Sequence, residues 1–227
     1  MSRTTPAPAG RPVTATPPLT DHTVAMGLRV LAAAAWPESA ADRVPPALPG
    51  FVLSTFSPLF AETATRCLTR RPPGALPVPG AAVGGEHAVR AEGEGDGGVA
   101  GSVAASAPAP GARPAEGVRT AVVIVSALGD VAGAVRVAEA VDGGQRPGPL
   151  MFFQAVPNAV AGLVAARWGL CGPVVCVADG RAGVEVAALL IEDGDAEEAL
   201  VVLVDQASGD GDRDRAEAVL LNGGDRP

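Results

Sequence analysis

The sequence predicts an α/β protein in which helices pack on a sheet of buried strands. Three runs carry this expectation: TAVVIVSA (120–127), PVVCVAD (173–179) and ALVVLVDQA (199–207). Each is apolar, rich in β-branched residues and bounded by Gly, Pro or Asp. Helical patterns separate them, giving the order β-α-α-β-α-β over residues 118–208. That alternation goes with near-continuous apolar strands covered on both faces.

The elements follow in order. VAMGLRVLAAAAW (24–36) is a strand or a helix that stops at Trp36-Pro37. Ala61 to Arg71 reads as a short helix with Glu62 in its first turn and Arg66, Arg70 and Arg71 toward its end, the charge order the helix dipole favours. VAGAVRVAEAVDGG (131–144) is a helix with Val131, Val135 and Ala138 on one face and a Gly stop. PNAVAGLVAARW (157–168) starts on a proline suited to a first helical turn and ends at Gly169. VEVAALLIEDG (184–194) is the last helix of this set. The organisation expected is a Pro/Thr/Ala-rich disordered tail over 1–23, patterned sequence over 24–71, a flexible Gly/Ala/Pro-rich insertion over 72–117, the α/β core over 118–208, and an acidic C-terminal tail over 209–227.

Composition narrows the function classes. The 227-residue chain is 48% hydrophobic, yet its 29 Gly and 22 Pro are an excess that gathers in segments that do not pack. All 17 basic residues are Arg, the mark of a GC-rich bacterial genome, and the net charge is -8. A chain this acidic lacks the clustered positive charge that nucleic acid requires, and it offers no basic face to an anionic membrane. Three cysteines without an apolar leader read as free thiols in a reducing cytoplasm. No Cys/His spacing suits zinc, no Lys-bearing phosphate loop is present, and the acidic runs EDGDAEE and GDGDRD lack calcium-loop spacing, so no cofactor or metal is expected.

FFQAVPNAVAGLVAARWGLCGP resembles the approach to the active site in β-ketoacyl synthases. Phe152-Phe153, Val156-Pro157-Asn158, Gly162, and Gly169-Leu170-Cys171-Gly172-Pro173 stand in the family's order, and TAVVIVSALGD fits the preceding strand and turn. FVLSTFSPLF (51–60) fits less closely, resembling the opening of divergent ketosynthase-like N-terminal domains. The resemblance implies the N-terminal half of a thiolase-like fold, with a mixed sheet and helices packed on it. It also implies a strand-to-helix elbow after Gly172-Pro173, where the family places a nucleophilic Cys at a helix N-terminus to lower its pKa.

Counted without a gap, that position falls on Arg181, which cannot be acylated. The family's two catalytic histidines belong to the C-terminal half, and the chain's His22 and His87 match neither. The helix after the elbow is about one turn shorter than expected. A gap before the elbow would therefore bring Cys176 within one residue of the nucleophile position. Against that, VVCVA reads as a buried strand in which Cys176 is a small hydrophobe. Cys171 lies in a turn. Cys67 is packing in the Arg-flanked helix, although Arg66 and Arg70 are placed to lower its pKa.

The expectation is a ketosynthase-like protein that is not itself a condensing enzyme, in logic like the chain-length factors that lack the Cys and pair with an active subunit. The resemblance implies a full-length ketosynthase, or self-association, as partner. An acyl carrier protein is a further partner, with Arg66, Arg70 and Arg71 as its basic contact. Two alternatives stand beside this: an acyltransferase or priming enzyme using Cys176, and a degenerate or split fragment.

Overall fold

The computed structural model describes residues 18–72, 118–207 and 212–224. The expected flexible insertion, His87 and most of the expected N-terminal tail lie outside the described residues. Along the chain run α1 (Leu19–Ala25), β1 (Leu28–Trp36), α2 (Phe56–Thr69), β2 (Thr120–Val125), α3 (Val131–Asp142), α4 (Pro149–Gln154), α5 (Pro157–Trp168), β3 (Val174–Val177), α6 (Gly180–Glu192), β4 (Glu198–Asp205) and β5 (Arg215–Gly223). The strands form one mixed sheet in the order β1-β5-β4-β2-β3. β2 is parallel to β3 and β4, while β5 runs antiparallel to both β4 and β1.

Alternation along the strands divides the interior into two cores. Val122, Ile124, Leu200, Val202 and Val204 face α2 and α5. Ala121, Val123, Val125, Ala199, Val201 and Leu203 face α6 and α1. Successive strand side chains point to opposite faces, so a strand apolar at every position must be covered by helices on both. Each fully buried Val or Leu contributes about 1.5–3 kcal/mol relative to exposure. The largest buried side chains, Phe56 and Phe60, come from α2 and lie in the first core.

Several local features hold the layers in place. Asp130 accepts from the Gly133 amide at 2.8 Å, capping α3, and from the Ser54 hydroxyl at 2.7 Å, which ties the start of α2 to the start of α3. Gly172 donates its amide to the Thr120 carbonyl at 3.1 Å, and a Cβ there would fall 2.5 Å from the Thr120 carbonyl carbon. Only glycine lets the chain pass this close to β2 before turning into β3.

Four expectations need correction. The helix placed at 61–71 begins at Phe56, because FSPLF supplies its buried face, so Glu62 sits beyond the first turn and pairs with Arg66 at 2.8 Å. Residues 19–23, assigned to the tail, begin α1, whose Leu19 is fully buried despite the Pro/Thr-rich context. Residues 215–223, also assigned to a tail, form β5 between β1 and β4. Their charged neighbours had masked an alternating apolar set, Ala216, Ala218 and Leu220. β3 is not a buried strand but the sheet edge, with Val174 and Cys176 exposed. An apolar run alone does not separate a central strand from an edge one.

Two ion-pair assemblies fasten α2. Arg66 lies over the Trp36 ring at 4.6 Å and contacts Asp42 at 2.9 Å, while Arg70 binds Glu38 at 2.6 Å. The Arg70 hydrogen bond, helped by the Ala35 amide and against partial burial, holds the Glu38 carboxyl down at about 2, from an ordinary 4.5. The stabilisation from Glu38 is therefore complete above about 4.5 and is lost as pH falls through about 2. In acid titrations followed by far-UV circular dichroism, Glu38→Gln should lack this component of the stability decline between those values.

The second assembly is buried. Arg71 Nη2 meets Glu198 Oε1 at 2.7 Å with no exposed surface on the Arg71 side chain, and among the described residues Arg71 Nε, Arg71 Nη1 and Glu198 Oε2 have no hydrogen-bond partner. Burial pushes the Glu198 carboxyl up, and the guanidinium beside it offsets this only in part. Arg71→Met should cost about 3–5 kcal/mol in urea unfolding by stranding the carboxylate, whereas Arg71→Met with Glu198→Leu should recover most of that loss.

Candidate functional site

The stretch from Met151 to Gly180 folds as a helix, a second helix, a strand and an elbow. α4 begins after Gly148 with Pro149 in its first turn, a start signal of the same kind as Pro157 in α5 that the sequence reading did not use. Phe153 of α4 sets its ring 5.8 Å from that of Phe51. Pro157 opens α5, and the left-handed Gly169 (φ 66°) closes it, a conformation suited to glycine. Gly162 lies on the exposed face of α5 with open space around it, so nothing in the described packing requires a glycine there. The Gly172-Pro173 corner leads into β3.

The elbow follows β3 directly. Asp179 is extended, at φ -139° and ψ 158°, and its carboxylate accepts from the Ala182 amide at 2.9 Å as the N-cap of α6. Gly180 begins the helix beneath Leu19 and His22 of α1. Arg181 is therefore the second residue of α6, at a helix start, with its side chain 70% exposed. Its Nε donates to Glu185 Oε1 at 2.7 Å, and that carboxylate raises the already high pKa of the guanidinium. The position can hold positive charge at the helix start, but it can neither attack a thioester nor carry an acyl group.

Cys176 differs from its expected buried setting. It is exposed on β3, and its Sγ donates to Asn158 Oδ1 at 3.0 Å, so the structure brings the Pro157-Asn158 turn and the thiol together. The part of the thiol covered by its surroundings raises its pKa from an ordinary 9.0. An asparagine oxygen fixes the thiol in place but does not take its proton at neutral pH. Cys171 is exposed in its turn. Cys67 is fully buried, and burial pushes its thiol up to about 12, overriding the arginines nearby.

The basic contact set also changes. Arg71 has no surface, Arg66 is held by Asp42, Glu62 and Trp36, and Arg70 is bound to Glu38 and the Ala33 carbonyl. An acidic partner would have to compete with those carboxylates for the two that reach the surface. Among the described residues, no three His, Cys, Asp or Glu side chains are placed to share a metal ion, and no helix is long and apolar enough to cross a membrane.

What the sequence reading missed is a surface. Large apolar side chains stand exposed on three elements that succeed one another in the chain: Leu150, Phe152 and Phe153 on α4, Val156 before α5, Leu163 on α5, and Val174 on β3. Phe152 and Phe153 are each about half exposed, at 51% and 52%. The signal available was the unbroken apolar run PLMFF without a polar alternation to pair with a core.

Because burial raises the Cys176 pKa, the pH–rate profile for its alkylation by iodoacetamide should have its midpoint above 9.0. Intact mass spectrometry at a series of pH values would read this, with Cys176→Ser identifying the site. A midpoint near neutrality would mean that the thiol is activated.

No protein-family model matches the chain, and no curated protein matches it. Among solved structures, it is similar to a chain of the ketosynthase ApeO in complex with its chain length factor ApeC from Xenorhabdus doucetiae. That match has a TM-score of 0.54 at 15% identity and covers 87% of this chain and 79% of that chain. It is also similar to the ishigamide ketosynthase/chain length factor, at 22% identity over 48% of this chain and 37% of that one, with a TM-score of 0.39. The priming β-ketosynthase of the R1128 polyketide pathway matches at 15% identity over 88% of this chain and 51% of that one, with a TM-score of 0.38. At such identities the likeness is one of fold, and the first of these carries it: the chain has a strongly diverged, ketosynthase-like form of the thiolase fold.

Proposed function

We propose that this chain is a non-condensing accessory subunit that pairs with a ketosynthase in polyketide-type biosynthesis, in the manner of a chain length factor. The observation that carries the reading is the open side of the sheet. β3 is an edge strand bearing an exposed Val174, and α4 beside α5 presents Leu150, Phe152 and Phe153 to solvent. An edge strand and exposed aromatic side chains are each suited to contact with another chain. Arg181 at the elbow supports the absence of condensing chemistry, since the helix start carries a cation bound to Glu185 and no nucleophile.

The similarity in fold to a chain of the ApeO–ApeC complex, a ketosynthase with its chain length factor, supports the same reading. The exposure of Cys176 favours a second reading, Cys-dependent acyl transfer. Its raised pKa and its amide partner weigh against that reading. A Cys176-dependent mass increase with an acyl-carrier or acyl-CoA thioester would support it.

Co-expression of the tagged chain with the ketosynthase encoded nearest to it should yield a stable complex on size exclusion. Val174→Arg should weaken that complex by roughly tenfold or more, because it introduces a charge at the centre of the contact. Val24→Asp, on a residue 83% exposed on α1, should leave it intact. A monodisperse monomer that does not co-elute with the ketosynthase at micromolar concentration would refute the pairing.

A further inference from the structure

β2 and β4 are adjacent and parallel, but the chain leaves their carboxyl ends in different directions. From β2 it turns through Ser126 and Gly129 into α3, and from β4 it passes Gln206 toward β5. Loops that part at the carboxyl ends of neighbouring parallel strands leave a crevice, the habitual ligand position in open α/β sheets. Here the crevice has a volume of about 600 Å³, within the range of small-molecule pockets.

Its lining is of two kinds. Leu128, Val131 and Val135 form an apolar wall and are 75%, 40% and 48% exposed, so these side chains face open space rather than a core. Val131 and Val135 are one helical turn apart on α3 and present one stripe. Behind them, Gln206 spans the floor, its Nε2 donating to Thr55 Oγ1 at 3.3 Å and its Oε1 accepting from the Ala132 amide at 3.5 Å. Around the rim stand Arg136, Arg213 and Arg215, none with an ion-pair partner among the described residues. Asp205, Asp212 and Asp214 share the lining, and Asp214 Oδ1 is engaged by the Ala207 amide at 2.8 Å. Acidic and basic side chains share the lining, so selection rests on directed donors rather than on net charge. Unpaired guanidinium groups offer forked N–H donors that match carboxylate or phosphate oxygens.

We propose that the crevice between the ends of β2 and β4 binds a small organic anion with an apolar body, its head on the arginine rim and its body along Val131 and Val135. The site uses neither the elbow nor the β3 edge, so it stands whether or not the chain pairs with a ketosynthase. It is tested on the full chain alone, by thermal shift and by NMR titration with hexanoate, hexyl phosphate and 1-hexanol. The anions should bind saturably and perturb Val131, Val135 and Gln206, with 1-hexanol weaker by about tenfold or more. Hexanoate binding above hexyl phosphate assigns a carboxylate head, and the reverse a phosphate.

Arg136→Gln combined with Arg213→Gln should weaken the anion by about tenfold while leaving 1-hexanol unchanged. Val135→Asp should weaken all three probes, and circular dichroism would verify that each variant is folded. No saturable binding of either anion, equal binding of 1-hexanol, or an unaltered affinity in the double arginine variant would each overturn the proposal.

Discussion

Strand β4 is buried on both faces along almost its whole length, and the remainder of the molecule is arranged to keep it so. Leu200, Val202 and Val204 enter one core while Ala199, Val201 and Leu203 enter the other. A strand of this kind cannot sit in a two-layer protein, because one set of side chains would meet water. The helices are thereby sorted, with α2 and α5 on one side and α6 and α1 on the other. The charged first residue of β4, Glu198, is drawn into the interior with it and needs Arg71 from the end of α2. The position of that arginine is thus a consequence of the sheet and not of any external partner.

The two edges of the sheet are finished differently. At the β1 side, Trp36 lies under Arg66, the 38–42 segment is clamped by Arg66 and Arg70, and the Leu19 amide at the start of α1 is held by Glu217 at 3.0 Å. These ionic and aromatic contacts fasten the Trp36 end of β1 and the start of α1, although β1 is itself an edge strand. At the β3 side no comparable assembly occurs among the described residues: the strand is four residues long, and Val174 and Cys176 are exposed. A shorter edge strand limits uncontrolled pairing, but it does not cover the apolar side chains around it.

Much of the fold was legible because burial writes itself into runs and periods. The runs at 120–125 and 199–205 read as buried strands and are covered on both faces, and Pro157 with Gly169 marked both ends of α5. What was not legible depended on neighbours distant in sequence. β5 reads as an acidic tail until β1 and β4 are placed on either side of it. The exposure of Cys176 is a property of strand order, which apolar composition does not encode, and the burial of Arg71 depends on Glu198, 127 residues away. At the candidate site, the elbow after Gly172-Pro173 was expected from the resemblance, whereas the Asp179 cap and the Cys176–Asn158 contact emerged only from the structure.

The elbow is built without help from the side chain that stands on it. The start of α6 is held by backbone and capping contacts, namely the Asp179 cap and the seating of Gly180 under Leu19. None of these involves the side chain of residue 181, which points into solvent and pairs with Glu185 one turn along. A nucleophile at that position would depend on the helix start, but the helix start does not depend on a nucleophile. The strand, the elbow and the start of the helix therefore stand on contacts that are independent of the side chain at residue 181.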